Sequence, residues 1–280
     1  YGDRVAVRGQ LEAPPVFEGF DYREYLARRN VHTLIQQPEV TVLAHGAGQP
    51  FWQALYALRA QAQTVIARLL PEPEAGLLTG ILLGVESGID PALYDQFNRT
   101  GVSHIIVISG FNITIVAGLM TALFGRLLGP KAAFWPVVAG IVLYVLLVGA
   151  DAVVVRAGLM GILVVWAAYL GRQSTAIISL FVAGFAMTLA NPLTLWDVGF
   201  QLSFVATLSL ILFATPMSQR FEAALRQRLP AGIAPTLIGF LNDALIVTLA
   251  ATILTLPLIA YYFGRVSVVS PLTNLLVLPV

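Results

Sequence analysis

The stretch FNRTGVSHIIVISGFNITIVAGLMT, residues 97–121, decides how this chain is read. It passes from a polar turn ended by Gly101 directly into an apolar span. Just inside that span stand His104, Ser109, Gly110 and Asn112. A simple membrane anchor avoids such residues, because polar groups at membrane depth are expensive, at least ~2.5 kcal/mol for a central Arg or Asp. Everything before Thr100 reads as water-facing or interfacial, and nearly everything after it as membrane.

Composition agrees. Hydrophobic residues make up 58% of the 280 and charged residues 11%, against about 25% charged in a soluble domain. The expected class is a polytopic α-helical membrane protein. The 16 basic and 15 acidic residues are unevenly placed, with 8 basic and 11 acidic in residues 1–100 but 8 and 4 in residues 101–280. Cysteine is absent, so there is no disulfide and no thiolate metal site. His32, His45 and His104 are scattered and cannot build a metal-hydrolase site alone, and no cofactor is expected. The chain starts in a strand-like run and stops in an apolar run at Val280, which reads as a fragment of something longer.

Residues 1–50 read as a small β-rich module with one helix, compatible with part of an OB-like barrel. In YGDRVAVRGQL (1–11), Val5, Val7 and Leu11 alternate with Arg4, Arg8 and Gln10, the pattern of a half-buried strand. Asp21 and Glu24 open a short helix over 21–29 as a capping box, and runs 31–36 and 40–44 are strand-like. OB barrels bind single strands of nucleic acid in a basic groove, but this module has 5 Arg against 6 Asp/Glu. A solvated cap domain is the plainer reading.

Residues 51–101 form amphipathic or interfacial helices. FWQALYALRAQAQTVIARLL (51–70) has an apolar face, with Trp52 and Tyr56 suited to a membrane interface. Residues 71–84 start with Pro and acidic residues but have too short an apolar part to span, so a re-entrant or interfacial element is expected. Residues 90–101 form a short helix, with Asp90 as N-cap, Pro91 at the first position and Gly101 as its stop.

Residues 102–280 carry the membrane domain. The expected spans are 103–123, 132–150, 152–170, 175–190, 199–216 and 236–261, with a seventh opening near 266. Pro257 is expected to kink the sixth. Loops after the first, third and fifth spans hold Arg126, Lys131, Arg172, Arg220, Arg226 and Arg228, whereas the opposite loops hold Asp151, Asp197 and Arg265. The positive-inside rule puts the first set in the cytoplasm and the β-rich module outside.

On one helix at 100° per residue, Asn112 sits about 80° and Ser109 about 140° from His104, so the three share a face. That face is either a polar pathway wall or a helix–helix seam, with Gly110 and Gly118 allowing close packing. Arg156 either pairs with Asp151, holding the outer end of the bundle, or lines a route for an anionic polymer. Asp197, Gln201 and Ser203 open the fifth span, Asn242 and Asp243 enter the sixth, and Asn274 lies in the seventh. A serine hydrolase is not expected: about 140° of one helix separates Ser109 from His104, too far for a shared proton.

The same residues resemble the ComEC family of competence proteins. FDYREYLARRNV (20–31) is similar to the end of the family's extracytoplasmic OB-like domain, and FNRTGVSHIIVISGFNITIV (97–116) to the opening of its competence domain. YVLLVGADAVVVRAGLM (144–160), WDVGFQLSFVATLSL (196–210) and LPLIAYYFGRVSVVSPLTNLLVLP (256–279) resemble later blocks in consistent order. One departure is visible: the family commonly has His two residues after Ser-Gly, where this chain has Asn112, which hydrogen-bonds but carries no proton at neutral pH.

The resemblance implies import of single-stranded DNA across the inner membrane in natural transformation. Its implied partners are single-stranded DNA, the lipid bilayer, a cytoplasmic motor and an extracytoplasmic DNA receptor, with self-association open. His104, Ser109, Asn112, Asp151, Arg156, Gln201 and Asn274 are the pathway candidates. No catalytic residue is expected here, since the nuclease domain of many members would lie outside this stretch. A structural membrane anchor or assembly platform and a small-solute secondary transporter are the alternatives.

Overall fold

The computed structural model describes residues 1–16, 22–27, 31–106, 110–129, 131–228, 245–264, 267 and 269–277. Two compact units divide the chain, Tyr1–Ala62 and Gln63–Val280.

In the first unit, β1 (Arg4–Arg8) pairs antiparallel with β4 (Glu39–Ala44), and β2 (Leu11–Glu12) with β3 (Leu34–Ile35). Between them lies α1 (Tyr22–Ala27). Gly9, between β1 and β2, lets the Ile35 side chain of β3 lie close, since a Cβ there would fall 2.3 Å from Ile35 Cγ2. Asp3 holds His45 at 2.9 Å, and Tyr1 stacks on Tyr56 of α2 (Pro50–Leu69) with ring centroids 5.0 Å apart. The expected half-buried alternation is absent. Val5 and Val7 face Val42 and Val40 across the ladder, yet all four are exposed, because the two ladders form separate pairs and no second layer among the described residues of this unit covers them.

The second unit is helical. After the second half of α2 come α3 (Glu74–Leu83), α4 (Pro91–Thr100) and a 3₁₀ turn, Ser103–Ile105. The bundle proper consists of α5 (Gly110–Leu128), α6 (Phe134–Val148), α7 (Ala152–Tyr169), α8 (Ala176–Ala190), α9 (Val198–Arg228), α10 (Val247–Phe263) and α11 (Ser270–Val277). Helix α4 is built as its sequence dictates. Asp90 Oδ1 accepts from Ala92 N at 2.8 Å, Pro91 takes the first position, and Gly101 (φ 75°) closes the helix in the left-handed conformation.

By length and composition, two described helices are long and apolar enough to cross a membrane, Ala152–Tyr169 and Val198–Ala224. Asn112–Leu128, Phe134–Val148, Ala176–Ala190 and Val247–Phe263 are apolar but shorter. Their outward faces carry large apolar side chains, among them Leu119, Trp135, Phe185, Leu189 and Tyr261. Inside, Ile113, Val137, Ile141, Val148, Val154 and Ala157 join α5, α6 and α7 in one core. Hydroxyls in these helices are satisfied locally: Thr114, Thr188, Thr207, Thr252 and Thr255 each donate to the carbonyl four residues back.

Two expected spans are redrawn. The first is not one helix from 103, because residues 103–105 form a 3₁₀ turn, and α5 is described from Gly110. The fifth does not stop at 216. Helix α9 runs on through Pro216 to Arg228 and takes in the basic residues expected in a loop, since a proline within a helix removes one N–H without ending it when neighbours hold the chain. Asn242, Asp243 and Arg265 lie outside the described residues.

The close packing expected at Gly118 lies elsewhere. Nothing stands within 4 Å of a Cβ at Gly118, whereas one at Gly158 would fall 2.7 Å from Val145 Cγ2 and one at Gly184 2.8 Å from Phe204. The Phe204 ring cannot yield, being held edge-on by Phe181 and tilted against Phe200. Helices α9 and α10 meet through Ser209, which is fully buried, and its hydroxyl donates to Ala250 O and accepts from Leu254 N. Those two groups are the acceptor and donor of one turn of α10, so α9 inserts a hydroxyl into the ladder of its neighbour, near Pro257.

Gly184→Ala is expected to cost about 1–3 kcal/mol by overpacking, while Gly118→Ala changes stability by less than about 0.5 kcal/mol. Reversible unfolding in mixed micelles reads both. The same assay on Ser209→Ala is expected to show a loss of about 0.6–1.7 kcal/mol, the range of interhelical hydrogen bonds in membranes.

Candidate functional site

Arg156 is the charged side chain most fully withdrawn from the surface among the described residues, at 5% exposure on α7. Nε donates to Ser203 Oγ of α9 at 2.8 Å, and a terminal nitrogen donates to Met160 Sδ, one turn along the same helix, at 3.1 Å. Gly110, the first residue of α5, lies alongside; a Cβ there would stand 3.9 Å from the guanidinium and 3.7 Å from Ala157. Three helices therefore surround this cation, and its bonding partners are neutral.

The ion pair with Asp151, one of the two readings of Arg156, is not formed. Asp151 occupies the position before α7, exposed and with no side-chain capping bond. Asp3 pairs with His45 and Asp95 with Arg99, and neither pair reaches Arg156. Five residues of helix turn Arg156 away from Asp151 and toward α9. Ser203 stood in the sequence as one of three polar residues opening a span, but nothing local marks it as the partner.

The polar seam of the opening stretch is also rearranged. His104 lies exposed on the 3₁₀ turn and Asn112 on α5, so helical spacing does not carry from one to the other. Ser109 lies outside the described residues. Asn112 Nδ2 donates to Ile81 O of α3 at 2.8 Å. Tyr144, which the sequence reading passed over, donates from α6 to Leu82 O at 3.2 Å. A tyrosine inside an apolar run is the signal that was available, since its hydroxyl must find a partner when the ring is embedded.

At the start of α9, Asp197 caps the helix by accepting from Phe200 N at 2.8 Å. Gln201 bridges two elements: Nε2 donates to Leu195 O at 2.6 Å, and Oε1 accepts from Tyr262 OH of α10 at 2.7 Å. Tyr262 is a second residue that only the fold identifies. Asn274 on α11 is 3% exposed, and its Oδ1 has no hydrogen-bond partner among the described residues. The approach to α11 is tied to the end of α4: Ser267 Oγ donates to Arg99 O and Ser270 Oγ to Gly101 O, each at 3.1 Å.

The structure thus joins Arg156 to Ser203, Asn112 to α3 and Gln201 to Tyr262, but does not join the seven candidates in one cluster. An open cavity of about 540 Å³ lies apart from Arg156, lined by Glu86, Tyr94, Asp95 and Asn98 with neighbours. Burial, and then the adjacent Glu86 carboxylate, hold the Tyr94 phenol above its ordinary value. With two carboxylates on its wall, that cavity does not suit a polyanion. The described residues contain no group of three or more His, Asp or Glu placed to hold a metal ion.

Comparison with known proteins gives the geometry its context. A family profile described as "Competence protein" matches residues 81–280. The chain is 29% identical over 290 residues to ComE operon protein 3 of Bacillus subtilis (strain 168), covering 99% of this chain and 34% of that protein. It is 32% identical over 215 residues to Competence protein ComA of Neisseria gonorrhoeae, covering 73% of this chain and 28% of that protein. No solved structure matches it. The chain spans about a third of the length of the curated relatives it matches. With 200 of its 280 residues inside the family profile, the chain belongs to the competence protein family.

Proposed function

We propose that this chain forms part of an inner-membrane channel that imports single-stranded DNA during natural transformation. Membership of the competence family supports DNA uptake as the process. Apolar helices with outward-facing Leu, Phe and Trp support a multi-pass membrane location of about seven spans. The basic residues at the far ends of the first and fifth spans and after the third favour an extracytoplasmic N-terminal unit, an OB-like remnant that would receive the strand, with a DNA receptor outside and a motor in the cytoplasm.

Arg156 is the observation that carries the reading. An Arg kept for structure alone inside a membrane helix would pair with a carboxylate, because an uncompensated buried cation costs several kcal/mol. This one is held by a hydroxyl and a thioether and faces the opening of α5. With no carboxylate paired to it among the described residues, it suits a passing phosphodiester, which a guanidinium binds through a planar fork of donors. The alternative of an assembly platform draws on Asn112 and Gln201, whose side chains are engaged with backbone carbonyls.

Arg156→Ala, at normal membrane levels, is expected to lower import of labelled DNA at least about tenfold, the consequence of losing one charge-assisted contact. Arg156→Lys is expected to retain part of it, keeping the charge but losing the fork. Unchanged uptake in Arg156→Ala removes this residue from the pathway. Ser203→Ala, which frees the guanidinium to swing, is expected to fall between wild type and Arg156→Ala in the same assay.

A further inference from the structure

Helix α3 has ten residues, about 15 Å of rise, or half a hydrocarbon core. A helix so short is marginal by itself, and its ends and one face are fixed by named contacts. At the N-terminus the Glu72 carboxylate accepts from Gly76 N at 3.2 Å. Along one face Gly76 and Gly80 admit close neighbours. A Cβ at Gly76 would fall 2.9 Å from Gly88 O, and one at Gly80 would fall 3.2 Å from Ile106 Cγ2.

The C-terminus is the end most in need of help, since its last four carbonyls lack partners within the helix. Gly84, in the left-handed conformation (φ 65°), returns its N–H to Gly80 O at 2.9 Å. Ile81 O accepts from Asn112 Nδ2 at 2.8 Å and Leu82 O from Tyr144 OH at 3.2 Å. Both donors stand at one end of the α5–α6 pair: Asn112 is the third residue of α5, and Tyr144 lies in the last turns of α6. Positive-inside reasoning makes this the outer end. Leu82, Val142 and Leu143 are exposed and apolar, so lipid rather than water would surround the carbonyls, and only protein donors can satisfy them.

We infer that Asn112 and Tyr144 are positioning residues that fix α3 as a re-entrant half-helix against the outer end of α5 and α6, and that Asn112 acts on transport through α3 without touching the substrate. The transport half of this inference rests on the proposed function; the docking of α3 does not. Both donors are neutral, so neither offers a passing polyanion a countercharge.

The absence of cysteine from this stretch allows a direct test in the full-length protein in its membrane, with the protein lacking introduced cysteines as background. Ala75→Cys and Leu83→Cys replace residues 3% and 5% exposed and report undocking to a membrane-impermeant maleimide. Asn112→Leu keeps the volume and removes the donor; Tyr144→Phe removes only the hydroxyl. Each is expected to raise labelling of both reporters about two- to tenfold, the range of one hydrogen bond, while Asn112→His, which keeps an N–H donor, leaves them protected.

Equal protection in Asn112→Leu, Tyr144→Phe and the parent overturns the inference. DNA uptake measured in the same strains separates the two halves. A fall in both variants that tracks labelling supports action through α3. Uptake lost in Asn112→Leu but intact in Tyr144→Phe, when both undock α3, makes Asn112 a substrate contact and overturns the positioning role. A parent that imports no DNA defeats the transport reading, and the labelling result alone then decides the docking.

Discussion

A polar group placed among apolar helices must find its partner within the protein, and the second unit is arranged around that requirement. Ser209 satisfies it by entering a turn of α10, the threonines by bonding back along their own helices, and Asn112 and Tyr144 by closing the open end of α3. Each solution also fixes geometry. The Ser209 bridge sets how α9 meets α10, and the two caps set where a ten-residue helix comes to rest. Packing then completes what hydrogen bonding begins, with Gly158 and Gly184 bringing α7 against Val145 and α8 against Phe204.

That division between local and tertiary solutions explains what the sequence could tell. Helices α6, α7 and α8 lie within two residues of the expected spans, because hydropathy and turns bearing glycine or proline mark their ends. Helix α4 was legible to the residue from Asp90, Pro91 and Gly101, whose roles are local. The start of α5 was not. Residues 103–106 (SHII) run straight into an apolar stretch, and hydropathy does not distinguish a 3₁₀ turn there from a first helical turn. Pro216 looked like a terminus, yet α9 passes through it.

Partner choice was still less legible. Arg156 had an acid five residues away and instead reaches a serine 47 residues on; Gln201 meets a tyrosine 61 residues on. Burial in the N-terminal unit was misread for a related reason. Alternation in Val5 and Val7 shows which side of a strand is apolar but not whether a layer exists to cover it. The sequence marks the seven candidate residues only as polar among apolar neighbours; the elements that the described ones join depend on the fold.

Bonding state now separates those candidates in a way that residue type could not. Asn112 and Gln201 have their donors engaged by backbone carbonyls, so a substrate would have to displace existing bonds to use them. Asp151 and His104 are exposed, and their bonding to a passing strand would compete with water or headgroups. Arg156 and Asn274 differ from all of these. The first is a buried cation with neutral partners, the second a buried amide whose oxygen is unmatched among the described residues. Burying either group incompletely matched is a standing cost to the fold. Under the transport reading that cost has a use: a group without a full set of partners can bind a moving polymer and release it again without breaking the bundle that holds it. Under that same reading, the charge that would meet the substrate comes from α7.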